Sequence, residues 1–178
     1  MDFLIMRHGE TESNKKNYVQ GQTNESLSDI GIKQVKRQIP YLKKQKITLI
    51  LSSDLQRAKE TAKIISKTLN IKVRYMKILR EKNNGRYTGK KSAEINWNNV
   101  NGDYEHRKAP KGESLFEVLQ RVKQFLDIIK EQQQKEKIIV ISHGTFLKLI
   151  KGYLAKKNIK KSIENIKIKN GKVMKIKC

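Results

Sequence analysis

Short apolar runs alternate along the chain with longer segments in which apolar residues recur every three or four positions. The runs fall within residues 3–6, 47–51, 71–75 and 137–142. Continuous apolar runs of this length are typical of strands that are covered on both faces. The pattern therefore predicts a mostly parallel sheet whose strands are separated by amphipathic helices.

The helical segments have recognisable starts and apolar faces. Ser28 is the predicted N-cap of a helix that carries Ile32, Val35, Ile39 and Leu42, and Pro40 is expected to kink or shorten it. Other predicted faces comprise Ala58, Ala62, Ile65 and Leu69; then seven residues from Leu115 to Ile129; and finally Phe146, Leu147, Ile150 and Leu154. The long helix that begins after Ser114 is expected to run out in Gln132-Gln133-Gln134.

Near the end of the chain, residues 166–169 and 173–177 alternate between Ile, Val or Met and Lys around Asn170-Gly171. An Asn-Gly pair flanked by alternating apolar residues predicts a β-hairpin.

These elements predict an α/β fold, a three-layer α/β/α sandwich with a mostly parallel central sheet. The length of 178 residues corresponds to about one domain, so we expect residues 1–178 to form a single domain. Residues 83–113 are polar and rich in Asn, Gly and Lys, and we expect them to form a lid-like insertion over a site.

The charge of the chain raises a second possibility, a basic nucleic-acid-binding protein. Lys and Arg number 40 against 17 Asp and Glu, which gives a formal net charge of +23. Aromatic residues make up only 6%, they are not interleaved with Lys as in a stacking surface, and Lys is scattered over every segment. Nucleic acid is therefore the less favoured partner.

The number of cysteines and the lengths of the apolar runs indicate the cellular compartment. A single cysteine, Cys178, cannot form an internal disulfide, and the apolar run at residues 3–6 is too short for a signal peptide. No run approaches the roughly 18 apolar residues of a membrane span. A cytoplasmic protein is expected, with no membrane partner and no inference about oligomeric state.

Four polar clusters each follow a predicted strand, where the carboxyl ends of parallel strands place ligand sites. They are Arg7-His8-Gly9, Ser52-Ser53-Asp54 with Arg57, Arg80-Glu81, and His143-Gly144. Two Arg and two His that converge on one pocket favour a phosphate group, because guanidinium groups match oxyanions and a neutral imidazole is a competent nucleophile. Glu81 supplies a carboxyl group at the same edge. No metal-ligand spacing is present, so the positive charge is expected to come from side chains.

The first cluster continues as Arg-His-Gly-Glu-Thr-Glu-Ser-Asn over residues 7–14, which resembles the signature of the histidine phosphatase superfamily, phosphoglycerate mutase-like branch. Further segments resemble the family in order: Gly21 with Leu27-Ser28 and Gly31, residues 52–62, Leu79-Arg80-Glu81 with Gly85 and Gly89-Lys90, Gly112-Glu113-Ser114 with Arg121 at the entry to the long helix, and Ser142-His143-Gly144.

The resemblance implies a role for each matching residue. His8 would become phosphorylated, Glu81 would protonate the leaving group and then activate water, and Arg7, Arg57 and His143 would clamp the phosphoryl group. Asn14 would donate a further hydrogen bond to the phosphate, and the substrate-binding set would also include Gly21, Gln22 and Gly144.

The expected activity is metal-independent hydrolysis of a small phosphorylated metabolite without a cofactor. The alternative is a cofactor-dependent phosphoglycerate mutase primed by 2,3-bisphosphoglycerate. Hydrolysis is favoured because the chain is short and because Arg107-Lys108, which could imitate the extra substrate contacts of a mutase, is expected in a solvated loop. Trp97 is expected to pack in the lid or core, and His106 to lie in a surface loop.

Overall fold

The computed structural model describes residues 2–132 and 136–176; Met1, Gln133, Gln134, Lys135, Lys177 and Cys178 lie outside them. Within the described residues the sheet has five strands: β1 (Phe3–Arg7), β2 (Leu49–Ser52), β3 (Lys72–Tyr75), β4 (Ile138–Ser142) and β5 (Val173–Ile176). Their order is β3-β2-β4-β1-β5, in which the first four are parallel and β5 runs antiparallel to β1. The predicted mostly parallel sheet is confirmed.

Helices cover both faces of the sheet. In chain order they are α1 (Glu12–Lys15), α2 (Asp29–Lys36), α3 (Ile39–Lys44), α4 (Gln56–Leu69), α5 (Leu115–Gln132), α6 (Gly144–Leu154) and α7 (Ile159–Asn165). Successive side chains of β1 enter opposite cores, since Ile5 packs in the core with α5, α6 and α7, and Met6 packs in the core with α2, α3 and α4. The three-layer arrangement is confirmed.

The segment that begins at Ser28 and contains Pro40 forms two short helices, α2 and α3. The Ser28 hydroxyl accepts a hydrogen bond from the Gly31 amide at 3.1 Å and caps α2, as predicted. Pro40 lies in the first turn of α3, where its missing N–H requires no partner, so the apolar stripe is divided between two helices.

The predicted hairpin around Asn170-Gly171 is wrong. Residues 166–169 form no strand, and β5 pairs instead with β1, with Phe3 opposite Ile176 and Met6 opposite Val173. Without β5, the backbone N–H and C=O groups along one edge of β1 would have no strand partner, and β5 pairs with that edge. Ile166 and Ile168, whose alternation with Lys suggested a strand, are buried in the core with α7, a helix that the hydrophobic pattern did not predict.

The strand register brings the polar clusters to one edge. Arg7 at the end of β1 lies opposite Ser142 at the end of β4, and Ser52 of β2 lies opposite Ile141.

Residues 83–113 contain short 3₁₀ helices at Gly85–Tyr87, Ser92–Glu94 and Trp97–Asn99; their function as a lid stays a prediction. The solvated loop expected for Arg107 is wrong, because its side chain is half-buried with Cζ 5.0 Å from the Tyr104 ring centre, whereas Lys108 is exposed. Among the residues described, no helix is long and apolar enough to cross a membrane.

Candidate active site

His8 follows β1 and is almost fully buried, with 1% of its surface exposed. Its Nδ1 lies 2.7 Å from the Gly9 carbonyl oxygen, and its Nε2 lies 3.2 Å from Nε of Arg57. Both contacts are satisfied when Nδ1 carries the proton and Nε2 accepts from Arg57. Burial, followed by the charges of Arg57 and Arg7, holds the pKa of His8 well below its ordinary value. The ring is therefore neutral, with its lone pair on Nε2.

Arg57 lies in the first turn of α4, and its guanidinium group is held by backbone oxygens. It donates to the Gly21 carbonyl at 2.7 Å and to the Thr23 carbonyl at 2.8 Å. Burial lowers its pKa to about 10, so the group stays charged at neutral pH. Gly21 has φ +51° and a Cβ there would lie 2.9 Å from Thr88 Oγ1, which explains the glycine. In this structure Gly21 contributes to the site as the backbone acceptor that orients Arg57.

Arg7 and His143 each keep one buried polar atom without a hydrogen bond among the described residues, Nε of Arg7 and Nδ1 of His143. Arg7 donates through its terminal nitrogen to the Ile168 carbonyl at 3.2 Å, and His143 Nε2 lies 2.8 Å from the Ser53 hydroxyl. Unpaired buried polar atoms are rare in folded proteins, and each one calls for an explanation. When the Ser53 hydroxyl donates to His143 Nε2, the proton of the neutral ring lies on Nδ1, so that both unpaired atoms are N–H donors. Two such donors indicate a site that accepts an anion.

The two histidine rings lie close together, with their centroids 5.1 Å apart. Burial, together with the charge of Arg57, keeps the pKa of His143 well below its ordinary value. The pKa of Arg7 is also lowered, because burial outweighs the opposing effect of Glu81. The centre of the site therefore combines two guanidinium cations with two neutral imidazoles.

Glu81 is held at the N-terminus of α6. Its Oε2 accepts from the Thr145 amide at 3.2 Å, and its Oε1 accepts from the Lys82 amide at 2.8 Å. A Cβ on Gly144 would lie 3.6 Å from both Glu81 Oε2 and Arg7 Cζ, so both groups lie close to Gly144.

The backbone of Glu81 has its own supports. Gln22 donates to the Glu81 carbonyl at 3.0 Å, so this predicted substrate-binding residue contacts the protein in this structure. Arg121 of α5 donates to the Ile78 and Arg80 carbonyls at 2.8 and 3.1 Å and pairs with Glu113 at 2.8 Å. The side chain of Arg80 forms a two-bond ion pair with Asp54, each bond 2.6 Å long. The resemblance matched Arg121 only at the entry to the long helix and gave it no role at the site.

Asn14 lies in α1, and the oxygen of its side-chain amide is engaged. Oδ1 accepts from the Thr11 amide at 3.3 Å and from Nδ2 of Asn170 at 2.9 Å. Asn170 Nδ2 also donates to the His8 carbonyl at 3.1 Å, and the Gly171 amide contacts the same carbonyl at 3.1 Å. The turn before β5 therefore joins the site. Asn170 was identified in the sequence only as a turn residue, because the docking of that turn on β1 is a tertiary event.

The structure thus brings together all the predicted site residues, which are Arg7, His8, Asn14, Gly21, Gln22, Arg57, Glu81, His143 and Gly144. Their roles in binding or catalysis stay predictions. Across residues 2–132 and 136–176, no group of three or more His, Cys, Asp or Glu side chains is arranged to hold a metal ion. The arrangement is suited to nucleophilic attack by a neutral imidazole on an anion held by cations.

Comparisons with known proteins agree with this geometry. The model of the histidine phosphatase superfamily (branch 1) matches residues 3–178. The probable phosphoglycerate mutase GpmB of Yersinia pestis (strain Pestoides F) is 35% identical over 154 residues, which cover 83% of this chain and 71% of that protein.

Solved structures show the same fold. The alpha-ribazole phosphatase of Shigella flexneri has a TM-score of 0.89 at 24% identity, covering 99% of this chain and 90% of its own. A mycobacterial glucosyl-3-phosphoglycerate phosphatase in complex with VO3 has a TM-score of 0.86 at 23% identity, covering 98% and 90%.

Proposed function

The chain belongs to branch 1 of the histidine phosphatase superfamily, and we propose that it is a metal-independent phosphomonoester hydrolase that acts through a phosphohistidine on a small phosphorylated metabolite. The observation that carries this proposal is the neutral, buried His8, whose Nε2 lone pair faces Arg57 beside the unpaired atoms of Arg7 and His143. A phosphoryl group would supply oxygens to those donors and a phosphorus atom to Nε2. The solved phosphatases with this fold support the same class of reaction.

In the first half of the reaction, Nε2 of His8 forms a bond to phosphorus while the bond from phosphorus to the alcohol oxygen breaks. The hydrogen bond from Nδ1 to the Gly9 carbonyl stabilises the positive charge that develops on the imidazole. Arg7, Arg57, His143 and the Nδ2 group of Asn14 bind the phosphoryl oxygens. The departing oxygen takes a proton from Glu81, whose carboxyl group, like the guanidinium group of Arg7, lies close to Gly144.

In the second half, water attacks the phosphohistidine. The Glu81 carboxylate accepts the proton of that water, the Nε2–phosphorus bond breaks, and its electron pair returns to the imidazole. Inorganic phosphate leaves, and His8 is again neutral. The Lys82 and Thr145 amides fix the two oxygens of Glu81, so the same carboxyl group is placed for both proton transfers.

Two variants test the nucleophile. His8→Ala should abolish phosphate release from small phosphomonoesters and remove an acid-labile, base-stable phosphoenzyme, because no other neutral lone pair occupies that position. The matched control is His106→Ala, since His106 is exposed and its ring contacts Asp103 at 2.9 Å and the ring of Phe116. Retained turnover in the His8 variant would overturn the proposal.

Glu81→Gln should keep phosphate binding and lose the protonation of the leaving oxygen. Its deficit in kcat/KM, which reports the reaction up to departure of the alcohol and not the later attack of water, should be large for alkyl phosphates and small for p-nitrophenyl phosphate, whose leaving group needs no proton. An equal deficit for both substrates would contradict the role given to Glu81.

A phosphoglycerate mutase is the second candidate, and the 35% identical relative with that name favours it. Conversion of 3- to 2-phosphoglycerate, primed by 2,3-bisphosphoglycerate and faster than phosphate release, would decide for the mutase. Hydrolysis without isomerisation would decide for the phosphatase.

A further inference from the structure

Ser53 follows β2 and lies against His143, and both residues are fully buried. The Oγ atom of Ser53 lies 2.8 Å from Nε2 of His143 and accepts from the Leu55 amide at 3.3 Å. Across the part of the chain that the structure describes, these are the two hydrogen bonds of the Ser53 hydroxyl group. The contact with His143 can form in two ways, because both Oγ and the neutral ring carry one proton.

The backbone holds Ser53 and His143 in this position. The Ser53 amide donates to the Ile141 carbonyl of β4 at 2.9 Å, and the Ser53 carbonyl accepts from the hydroxyl of Ser52 at 3.0 Å. His143 directly precedes α6, and its carbonyl accepts from the Leu147 amide at 3.0 Å. The approach of Oγ to Nε2 is therefore fixed by the ends of two neighbouring strands.

The two possible positions of the protons differ in the number of polar groups left unpaired. If Ser53 donates to Nε2 of His143, the ring proton lies on Nδ1, and that N–H is unpaired. If Nε2 carries the proton and donates to Oγ, the hydroxyl proton has no acceptor and the Nδ1 lone pair has no donor. Counted over the described residues, the first arrangement leaves one group unpaired and the second leaves two, so the first is favoured.

The unpaired Nδ1–H of His143 also fits the charge of the expected ligand. The His143 ring lies 5.1 Å from the ring of His8, next to the site of phosphoryl transfer. Burial and the charge of Arg57 hold the pKa of His143 well below its ordinary value, so the ring carries one proton and can donate from one nitrogen only. A lone pair on Nδ1 would repel a phosphoryl oxygen, whereas an N–H there binds it.

We propose that Ser53 is a positioning residue: its hydroxyl donates to Nε2, fixes the Nδ1–H tautomer of His143, and makes that neutral ring a hydrogen-bond donor to the phosphoryl group. The inference rests on the proposed function, because the phosphoryl group is the acceptor of that hydrogen bond. Ser53 acts on the reaction through His143 and not by its own contact with the substrate.

The tautomer of His143 can be measured by ¹H–¹⁵N NMR of the folded protein labelled with ¹⁵N-histidine. The chain has three histidines, and the signals of His143 are those missing from the His143→Gln variant. A protonated ring nitrogen resonates far upfield of an unprotonated one, and couplings to the ring protons distinguish Nδ1 from Nε2. At neutral pH, His143 should have a protonated Nδ1 and an unprotonated Nε2. The reverse pattern would overturn the inference without any variant of Ser53.

Ser53→Ala removes the hydroxyl donor, so no partner selects the lone pair on Nε2. His143 should then lose the single Nδ1–H pattern. Both kcat/KM for p-nitrophenyl phosphate and the affinity for inorganic phosphate, measured as a competitive inhibitor, should fall about tenfold, as expected for loss of one charge-assisted hydrogen bond. The matched control is Ser162→Ala, because Ser162 is also buried but its hydroxyl donates to the Asn158 carbonyl at 2.7 Å in α7. The control should leave all three readouts unchanged.

A Ser53→Ala variant that keeps the Nδ1–H pattern would overturn the inference, and so would a changed pattern with unchanged kcat/KM. Turnover by the original protein separates this inference from the proposed function. If the protein hydrolyses p-nitrophenyl phosphate but His143 has the Nε2–H form, this inference alone fails. If His143 has the Nδ1–H form but no phosphomonoester is hydrolysed, the proposed function fails, and the role of Ser53 in phosphoryl transfer fails with it.

Discussion

Asn170 offers a demanding prediction, because it lies 162 residues from His8 in the chain and touches no group that would react. Its Nδ2 bridges the His8 carbonyl and Asn14 Oδ1 at 3.1 and 2.9 Å. The second contact fixes which end of the Asn14 amide is occupied and directs the other end, Nδ2, away from it. Asn170 is therefore expected to act as a positioning residue, through Asn14.

The size of the effect of Asn170→Ala follows from the hydrogen bonds that its two partners retain. Asn170→Ala removes two hydrogen bonds, but the His8 carbonyl still accepts from the Gly171 amide and Asn14 Oδ1 still accepts from the Thr11 amide. No acceptor is left buried and unpaired, so the loss in the free energy of unfolding should be about 1–2 kcal/mol. Loss of one oriented donor to the phosphoryl group should cost about tenfold in kcat/KM, equivalent to about 1.4 kcal/mol.

Asn170→Asp should be worse than Asn170→Ala, because a carboxylate oxygen would face the two acceptors that Nδ2 now joins. Lys172→Ala is the matched control, since Lys172 is an exposed neighbour in the same turn. The assay is kcat/KM for phosphate release by Asn170→Ala, by Asn14→Ala and by the double variant. If Asn170 acts through Asn14, the double variant should be no slower than Asn14→Ala. Fully additive losses, or an Asn170→Asp variant with unchanged kcat/KM, would refute the reasoning.

Two further predictions concern stability. Burial, together with the charges of Arg57 and Arg7, holds the pKa values of His8 and His143 well below their ordinary 6.5, so below pH 6.5 the unfolded chain binds two protons that the folded chain does not. The free energy of unfolding in urea should therefore fall by about 2 kcal/mol between pH 6.5 and 5.5. A flat profile over that interval would count against the buried neutral pair. Gly31→Ala would place a Cβ 2.1 Å from the Glu10 carbonyl oxygen, a backbone atom, and should lower the free energy of unfolding, measured by heat or urea, by about 3 kcal/mol. In the control variant Gly144→Ala the Cβ would lie 3.6 Å from its nearest neighbours, and the free energy of unfolding should change by less than about 1 kcal/mol. Equal losses in the two variants would show that the close approach at Gly31 is not the cause.

Local patterns were sufficient for much of the fold. Buried strands such as β4 appear as uninterrupted apolar runs because both faces of the sheet are covered. Ser28 and Pro40 mark helix boundaries because caps and missing amides act within one turn. In a parallel sheet the residues that follow each strand must meet at one edge, so His8 and His143 could be placed together from the order of elements alone.

The hairpin error shows where such reasoning stops. The alternation of Ile166 and Ile168 with Lys has the period of a strand, yet these two side chains pack in the same core as α7. Strand β5 pairs with β1 because β1 has an unpaired edge there. The residues around Asn170 do not indicate this pairing, since β1 lies at the other end of the chain.

The sequence by itself determined the α/β architecture, the edge of the sheet where the site lies, and the residue types that meet there, because these follow from short-range periodicity and from the geometry of parallel strands. Only the tertiary structure decided the burial that keeps His8 neutral, the support of Glu81 by Arg121, the docking of Asn170, and the contact of Ser53 with His143. Each of these depends on contacts between segments far apart in the chain, and their energies are set by desolvation and by the exact partners that packing brings together.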